Sequence, residues 1–202
     1  MKRVLLVLVL LFGVAGVVVA GDFEDGNNAL NQKDYVTAFE KYMKAAEAGN
    51  VGAQSKLGVM YSEGKGVPQD DAEAVRWWGK AAEDGNADAQ NNLGVMYDEG
   101  RGVPQNFVQA VRWYRQSAEA GFTIAQYNLG LMYANGRGVH HDDMQAHKWL
   151  NIAAATAISE AVKDAAINAR EHVAQELSRP GLAEAERLAR EWRPTTGLVP
   201  NR

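Results

Sequence analysis

Cysteine is absent from the 202-residue sequence. That excludes disulfides, thiol nucleophiles, iron–sulfur clusters and thiolate zinc sites. Proline is scarce, 5 residues against 20 glycines, so tight turns should be many and rigid ones few. There is no excess of positive charge either. Lys plus Arg is 21 and Asp plus Glu is 25, a formal net charge of −4, which lacks the electrostatic footprint of a general nucleic-acid binder. No nucleic-acid partner is expected. The composition, 47% hydrophobic and 23% charged, excludes wholesale disorder, and the length suits one domain or two small ones.

Charge is also missing from a run near the start, the 18 residues from Val4 to Gly21. Lys2 and Arg3 precede it as a positive n-region, and Val4 to Val19 forms an apolar h-region. Val18 and Ala20 stand at −3 and −1 of a cleavage after Ala20. Residues 1–20 therefore read as a secretory signal peptide, which makes the mature chain periplasmic or secreted. The alternative is an uncleaved anchor, since 18 uncharged residues just reach spanning length. Gly13, Ala15 and Gly16 loosen the run and favour cleavage. Any membrane contact would come only from this segment if it is retained. A cysteine-free exported chain must rely on its apolar core.

What the sequence does have is an internal repeat. Residues 51–86, 87–122 and 123–158 align without insertion or deletion at a period of 36. Leu57, Leu93 and Leu129 match, as do Gly58, Gly94 and Gly130, Tyr61, Tyr97 and Tyr133, and Trp77, Trp113 and Trp149. Each unit reads as two helices. Ala53, Leu57, Met60 and Tyr61 fall on one helical face. Gly64 and Gly66 end that helix. Asp70 with Glu73, Asn106 with Gln109, and Asp142 with Gln145 predict capping boxes for the second helix. Ala74, Trp77, Trp78, Ala81 and Ala82 form its apolar face, and Gly85 and Gly121 stop it. Gly58, Gly94 and Gly130 lie inside the first helix, where glycine costs about 1 kcal/mol against alanine. Close approach of a neighbouring helix is the expected compensation.

The flanks are atypical, as a repeat stack requires. Residues 21–50 predict an N-terminal capping pair, with a first helix near Phe23 to Leu30 and a turn at Asn31 to Asp34. In its second helix Ala38 and Tyr42 align with Ala74 and Trp78. After Ile158 the match fails, and Ala157 replaces the glycine. Residues 159–202 predict C-terminal capping helices and a tail. Residues 159–178 read as an alanine-rich helix, Pro180 and Gly181 break the run, Leu182 to Trp192 makes a last amphipathic helix, and 193–202 a frayed tail.

These residues resemble the Sel-one-like repeat family, a branch of the tetratricopeptide-type helical repeats. The pattern A-x-x-x-L-G-x-M-Y-x-x-G-x-G-V, then A-x-x-W-Y-x-x-A-A-x-x-G, is met three times. The departures are Trp78 and Leu150 for the Tyr, Ser117 for an Ala and Ala157 for the Gly. The resemblance covers nearly all of the mature chain. It implies an all-α, right-handed superhelical solenoid of antiparallel helix pairs. It also implies an adaptor that binds proteins or peptides, in bacteria often exported. Some exported members have been linked to penicillin-like compounds, but they staple each repeat with paired cysteines that this chain lacks.

Several residue groups invite chemistry. Ser62 and Lys65 match S-x-x-K, the nucleophile and base of penicillin-recognising enzymes. The same positions hold Asp98 and Arg101, then Ala134 and Arg137, and no S-D-N or K-T-G companion exists. His140, His141, Asp143 and His147 could hold a metal, with Asp143 and His147 one helical turn apart. Against that, Asp142 suits an N-cap and Pro104-Gln105 stand where the two histidines do. Trp77-Trp78, Trp113-Tyr114 and Trp149-Leu150 suit core packing better than a stacking groove. Arg76, Arg112 and Lys148 read as solvated charge. The Gly64-x-Gly66 turns lack the third glycine of a phosphate loop.

The expected function is a non-catalytic exported scaffold with no cofactor. The alternatives are a β-lactam or cell-wall-fragment enzyme and a metal-binding module. By the geometry the resemblance implies, first helices line a concave binding face. It would present Ser55, Val59, Ser62 and Glu63, then Asn91, Val95, Asp98 and Glu99, then Tyr127, Leu131 and Asn135. Val59, Val95 and Leu131 would make an apolar line, Tyr127 an aromatic anchor, and Asn91 and Asn135 main-chain clamps. Glu63, Asp98 and Glu99 favour a protein or peptide with a basic segment.

Overall fold

Asparagine and aspartate side chains begin five of the helices. Asp34 accepts from Thr37 N, Asn50 from Ala53 N, Asp70 from Ala72 N and Glu73 N, Asn106 from Gln109 N, and Asp142 from Gln145 N. Each satisfies donors that an open helix start would leave unpaired. The computed structural model describes residues 21–195. Residues 1–20, expected to be a signal peptide, and the last part of the tail, 196–202, lie outside the described residues.

Among the described residues ten helices follow one another. They are α1 (21–31), α2 (Tyr35–Glu47), α3 (Val51–Glu63), α4 (Asp71–Glu83) and α5 (Ala87–Glu99). After them come α6 (Phe107–Glu119), α7 (Thr123–Asn135), α8 (Asp143–Thr156), α9 (Glu160–Glu176) and α10 (Arg179–Glu191). Among the described residues no helix is long and apolar enough to cross a membrane. The chain forms two compact units, the first ending at Asn86 and the second beginning at Ala87. Within each unit neighbouring helices pack as antiparallel pairs, α3 with α4, α5 with α6 and α7 with α8 most extensively.

In the first unit, α1 is tied to α2 by the Tyr42 hydroxyl, which donates to Asn27 Oδ1 at 2.8 Å. Its core gathers Ala38, Tyr42, Leu57, Met60 and Trp77, with Phe23 and Phe39 packed on it. In the second unit, Val111, Tyr114, Leu129, Met132 and Trp149 form the main core. The expected apolar faces are the buried ones. The glycine argument also holds. A Cβ on Gly58 would stand 2.5 Å from the Trp78 ring, and one on Gly130 2.7 Å from Leu150 Cγ. Gly26 repeats this contact in the first pair, 2.7 Å from the Tyr42 ring. Gly64 closes α3 in the left-handed region at φ 67°, where a side chain would be strained.

Three expectations need correction. The capping boxes form only half. The caps accept as predicted, but their own amides do not turn to the glutamate or glutamine. Asp70 N donates to Tyr61 O, Asn106 N to Tyr97 O and Asp142 N to Tyr133 O. Those carbonyls sit in the last turn of the first helix, beyond the regular intrahelical ladder, and Tyr133 O also accepts from Gly136 N at 3.3 Å. Glu73 is left free to pair with Arg76 at 2.6 Å. Secondly, Pro180 and Gly181 do not break a helix; they lie in the first turn of α10, which Ser178 caps. Proline is tolerated there because its missing N–H would be unpaired anyway. Thirdly, the tail does not fray at residue 193. Trp192 packs edge-on against Trp149, and Thr195 donates from N and Oγ1 to Glu119 O at 2.8 and 3.1 Å.

The last two helices also depart from simple pairing. Ala157 ends α8 with extended backbone instead of a glycine turn. Beyond it, α9 and α10 each pack on α8.

Candidate functional site

In the second unit the first-helix face carries a small cleft of about 80 Å³. It is lined by Asp98 of α5, by Asn128, Leu131 and Asn135 of α7, by Arg137 of the following turn, and by Tyr114 below. Arg137 Nη2 donates to Asp98 Oδ1 at 2.6 Å, and the guanidinium lies over the Phe107 ring at 4.3 Å. Asn135 Nδ2 is held by Leu131 O at 2.8 Å. Asn128 Nδ2 donates to Asn91 Oδ1 at 3.2 Å. Burial, with Asp98 and Glu99 nearby, pushes the Tyr114 phenol well above its ordinary range, so it stays neutral. The cleft therefore offers amide groups, an apolar wall and an ion pair already closed within the protein.

Of the eleven residues assigned to the binding face, Asp98, Leu131 and Asn135 converge on this cleft. Asn91 is only 5% exposed and its amide oxygen is occupied by Asn128, so it presents no clamp. Val95 is half-buried on the main core of the second unit. Tyr127 and Leu131 pack on Ala146, Leu150 and Val173, which commits part of the Tyr127 ring to the interior. In the first unit Ser55 is likewise 5% exposed. Val59 and Ser62 are half-buried and Glu63 is exposed. The carboxylates are not free. Glu63 pairs with Lys65 at 2.7 Å, Glu99 with Arg101 at 3.4 Å and Asp98 with Arg137.

Asn128 and Arg137 were not singled out from the sequence. Asn128 repeats Asn92 and Arg137 repeats Arg101 one unit earlier, so neither stands out from its register. Gln54 and Gln126 were missed too. Both are buried, and each donates from Nε2 to the preceding second helix, to Ala46 O at 3.4 Å and Ala118 O at 3.2 Å. A glutamine kept at one register, 54, 90 and 126, was the available signal.

The catalytic candidates do not assemble. Ser62 Oγ donates to Val59 O at 3.0 Å, and the Lys65 ammonium is held by Glu63. That hydrogen bond raises the Lys65 pKa, the wrong direction for a general base. His141 Nε2 meets Asp143 Oδ1 at 3.1 Å, while His147 is buried. Among the described residues no three His, Asp or Glu side chains converge as a metal site. The tryptophans are structural, and the cations over them are stacked. Arg76 lies 4.5 Å from the Trp77 ring centre, Arg112 5.0 Å from Trp113 and Lys148 4.6 Å from Trp149.

The Sel1 repeat model matches residues 51–86, 87–122 and 123–155. The solved structures similar to this chain include the following two. The first is a protective antigen present in uropathogenic Escherichia coli strains, displaying an SLR fold. It is 33% identical with a TM-score of 0.70, and the match covers 77% of this chain and 32% of that one. This chain thus spans about a third of that protein's length. The second is a Sel1 repeat protein from Oxalobacter formigenes, 28% identical with a TM-score of 0.66. There the match covers 83% of this chain and 74% of the other. No curated protein gives a significant match.

Proposed function

Because the chain belongs to the Sel1 repeat family, we propose that it is a non-catalytic exported scaffold that binds a protein or peptide through its first-helix face. The observation that carries this is the cleft of the second unit, where Asn128 and Asn135 flank Leu131 beside the Asp98–Arg137 pair. Asn128 is half-buried and Asn135 exposed, and each amide keeps an accepting oxygen and a second N–H beyond its internal bond, which suits the main chain of an extended segment. Leu131 supplies the apolar contact. Since Glu63, Glu99 and Asp98 already hold cations of their own chain, a basic segment would have to displace them. Recognition therefore rests more on hydrogen bonding and shape than on net charge. The enzyme alternative finds no nucleophile–base contact between Ser62 and Lys65.

Selection of peptides from a random displayed library on the purified chain tests this. Binders should lose roughly tenfold or more in affinity on Leu131→Arg and on Asn135→Ala, and none on Arg76→Ala. Binders indifferent to both cleft substitutions would place the interface elsewhere. The export reading has its own check. Mass spectrometry of the native protein should show a chain beginning at Gly21, and an intact Met1 in a membrane fraction would mean an anchor instead.

A further inference from the structure

The end of the repeat array leaves a second cavity in the second unit, of about 260 Å³, between α8, α9 and α10. His147 and Asn151 of α8, Arg170 and Glu171 of α9, and Leu182 and Glu186 of α10 line it. The repeat register makes His147 unusual. Its equivalents 36 and 72 residues earlier are Val111 and Val75. Val111 is buried in the main core, as its register demands. His147 is buried as well, 3% exposed, but its Nδ1 has no hydrogen-bond partner. An unpaired buried nitrogen is a cost that valine would not carry. The polar side chain stands where α9 and α10 both pack on α8 and leave a cavity over it.

The charges around this histidine have a definite arrangement. Arg170 Nη1 donates to Asn151 Oδ1 at 2.9 Å, which fixes the guanidinium and leaves its other N–H groups without an ion pair among the described residues. Glu171 also carries no ion pair among the described residues, and Glu186 meets Arg190 only at 3.6 Å. Burial first and Arg170 second hold His147 in its neutral form, with Glu186 opposing. One cation, two carboxylates and a neutral imidazole thus border a single cavity. A lone anion would meet Glu171 and Glu186, and a lone cation would meet Arg170. A small molecule with both charges satisfies every wall.

We propose that this cavity binds a zwitterion the size of a free amino acid or dipeptide, its carboxylate on Arg170 and its ammonium toward Glu171 and Glu186, with His147 completing the hydrogen bonding. The fixed guanidinium can take a carboxylate through two parallel N–H groups. The neutral imidazole has one accepting and one donating nitrogen, and either end of the ligand can use it. The volume lies just below that of pockets for drug-sized ligands, and Leu182 adds one apolar wall for a short side chain. This site is separate from the first-helix cleft, and its occupancy does not depend on a protein partner.

Histidine-ring NMR on the purified chain tests the proposal, with alanine and alanyl-alanine as probes. The sequence holds 4 histidines, and His147→Val identifies the resonance by its loss. Millimolar alanine or alanyl-alanine should shift the His147 ring signals saturably. N-acetylalanine, which lacks the ammonium, and alanine amide, which lacks the carboxylate, should each bind roughly tenfold more weakly or worse. Arg170→Gln should weaken the probes similarly at an unchanged melting temperature. Should that variant unfold, Glu186→Gln and the two blocked probes still decide the matter. The proposal is overturned by the absence of a saturable shift with both zwitterions, by equal affinity for N-acetylalanine, or by a folded Arg170→Gln chain that binds as tightly as the parent.

Discussion

Gly94 lies directly against the ring of Tyr114: a Cβ at Gly94 would stand 2.5 Å from both Cδ1 and Cε1. Tyr114 is buried in the core of the second unit and cannot swing aside without opening it. The same register pairs Gly58 with Trp78 and Gly130 with Leu150, so the second residue of each Trp-x pair is what the glycine admits.

That contact sets a sign against ordinary helix propensity. Gly94→Ala should lower stability by about 1–3 kcal/mol, because overpacking outweighs the propensity gain. Gly79, inside α4, has nothing within 4 Å of its would-be Cβ. Gly79→Ala should instead raise stability by up to about 1 kcal/mol. Thermal or urea unfolding of the two variants checks this, and shifts of the same sign would contradict the close-packing argument.

His147 predicts a pH dependence. Its folded pKa lies below the ordinary imidazole value, chiefly through burial and then through Arg170, with Glu186 opposing. In the unfolded chain it titrates near the usual value of about 6.5. As pH falls through that value the unfolded state takes up a proton that the folded state refuses, so stability drops. The loss stops once pH passes below the folded pKa. His147→Val removes this contribution, and valine suits the register. Between neutral pH and about pH 5 the variant should therefore lose less melting temperature than the parent. Equal losses would show that His147 is not held neutral.

Ser62 should be chemically inert. Its hydroxyl donates to a backbone carbonyl, and Lys65 is paired with Glu63. A chromogenic cephalosporin should turn over no faster with the parent chain than with Ser62→Ala. A rate that disappears in the variant would restore the serine-nucleophile reading.

Much of the fold was legible because three copies of one unit report the same physics. A glycine inside a helix is ambiguous once, but Gly58, Gly94 and Gly130 at one register point to a shared contact. The half-formed capping boxes were not legible, because the competing acceptor is a backbone carbonyl that carries no sequence signal. Pro180 misled for a related reason: a proline in a first turn and a proline that ends a helix look alike until the cap at Ser178 is seen. The exposure of the first-helix face was read only in part. Asp98, Leu131 and Asn135 follow from their helix positions. Asn91 lies on the same face of α5, yet α7 covers it through Asn128, and the periodicity of one helix does not register such a neighbour.

The amides of Asp70, Asn106 and Asp142 each reach back to a tyrosine carbonyl of the preceding helix. The bond uses main-chain atoms only, so the connecting loops can change side chains, as Lys65, Pro68 and Gln69 against Arg137, His140 and His141 do, and still close at the same point. Proline is the one residue that would open it. It is accommodated at Pro68 and Pro104, two positions earlier, but at 70, 106 or 142 it would remove the donor. In hydrogen exchange these three amides should behave as slow-exchanging landmarks inside otherwise fast-exchanging loops, and they give each helical hairpin a latch that sequence drift does not loosen.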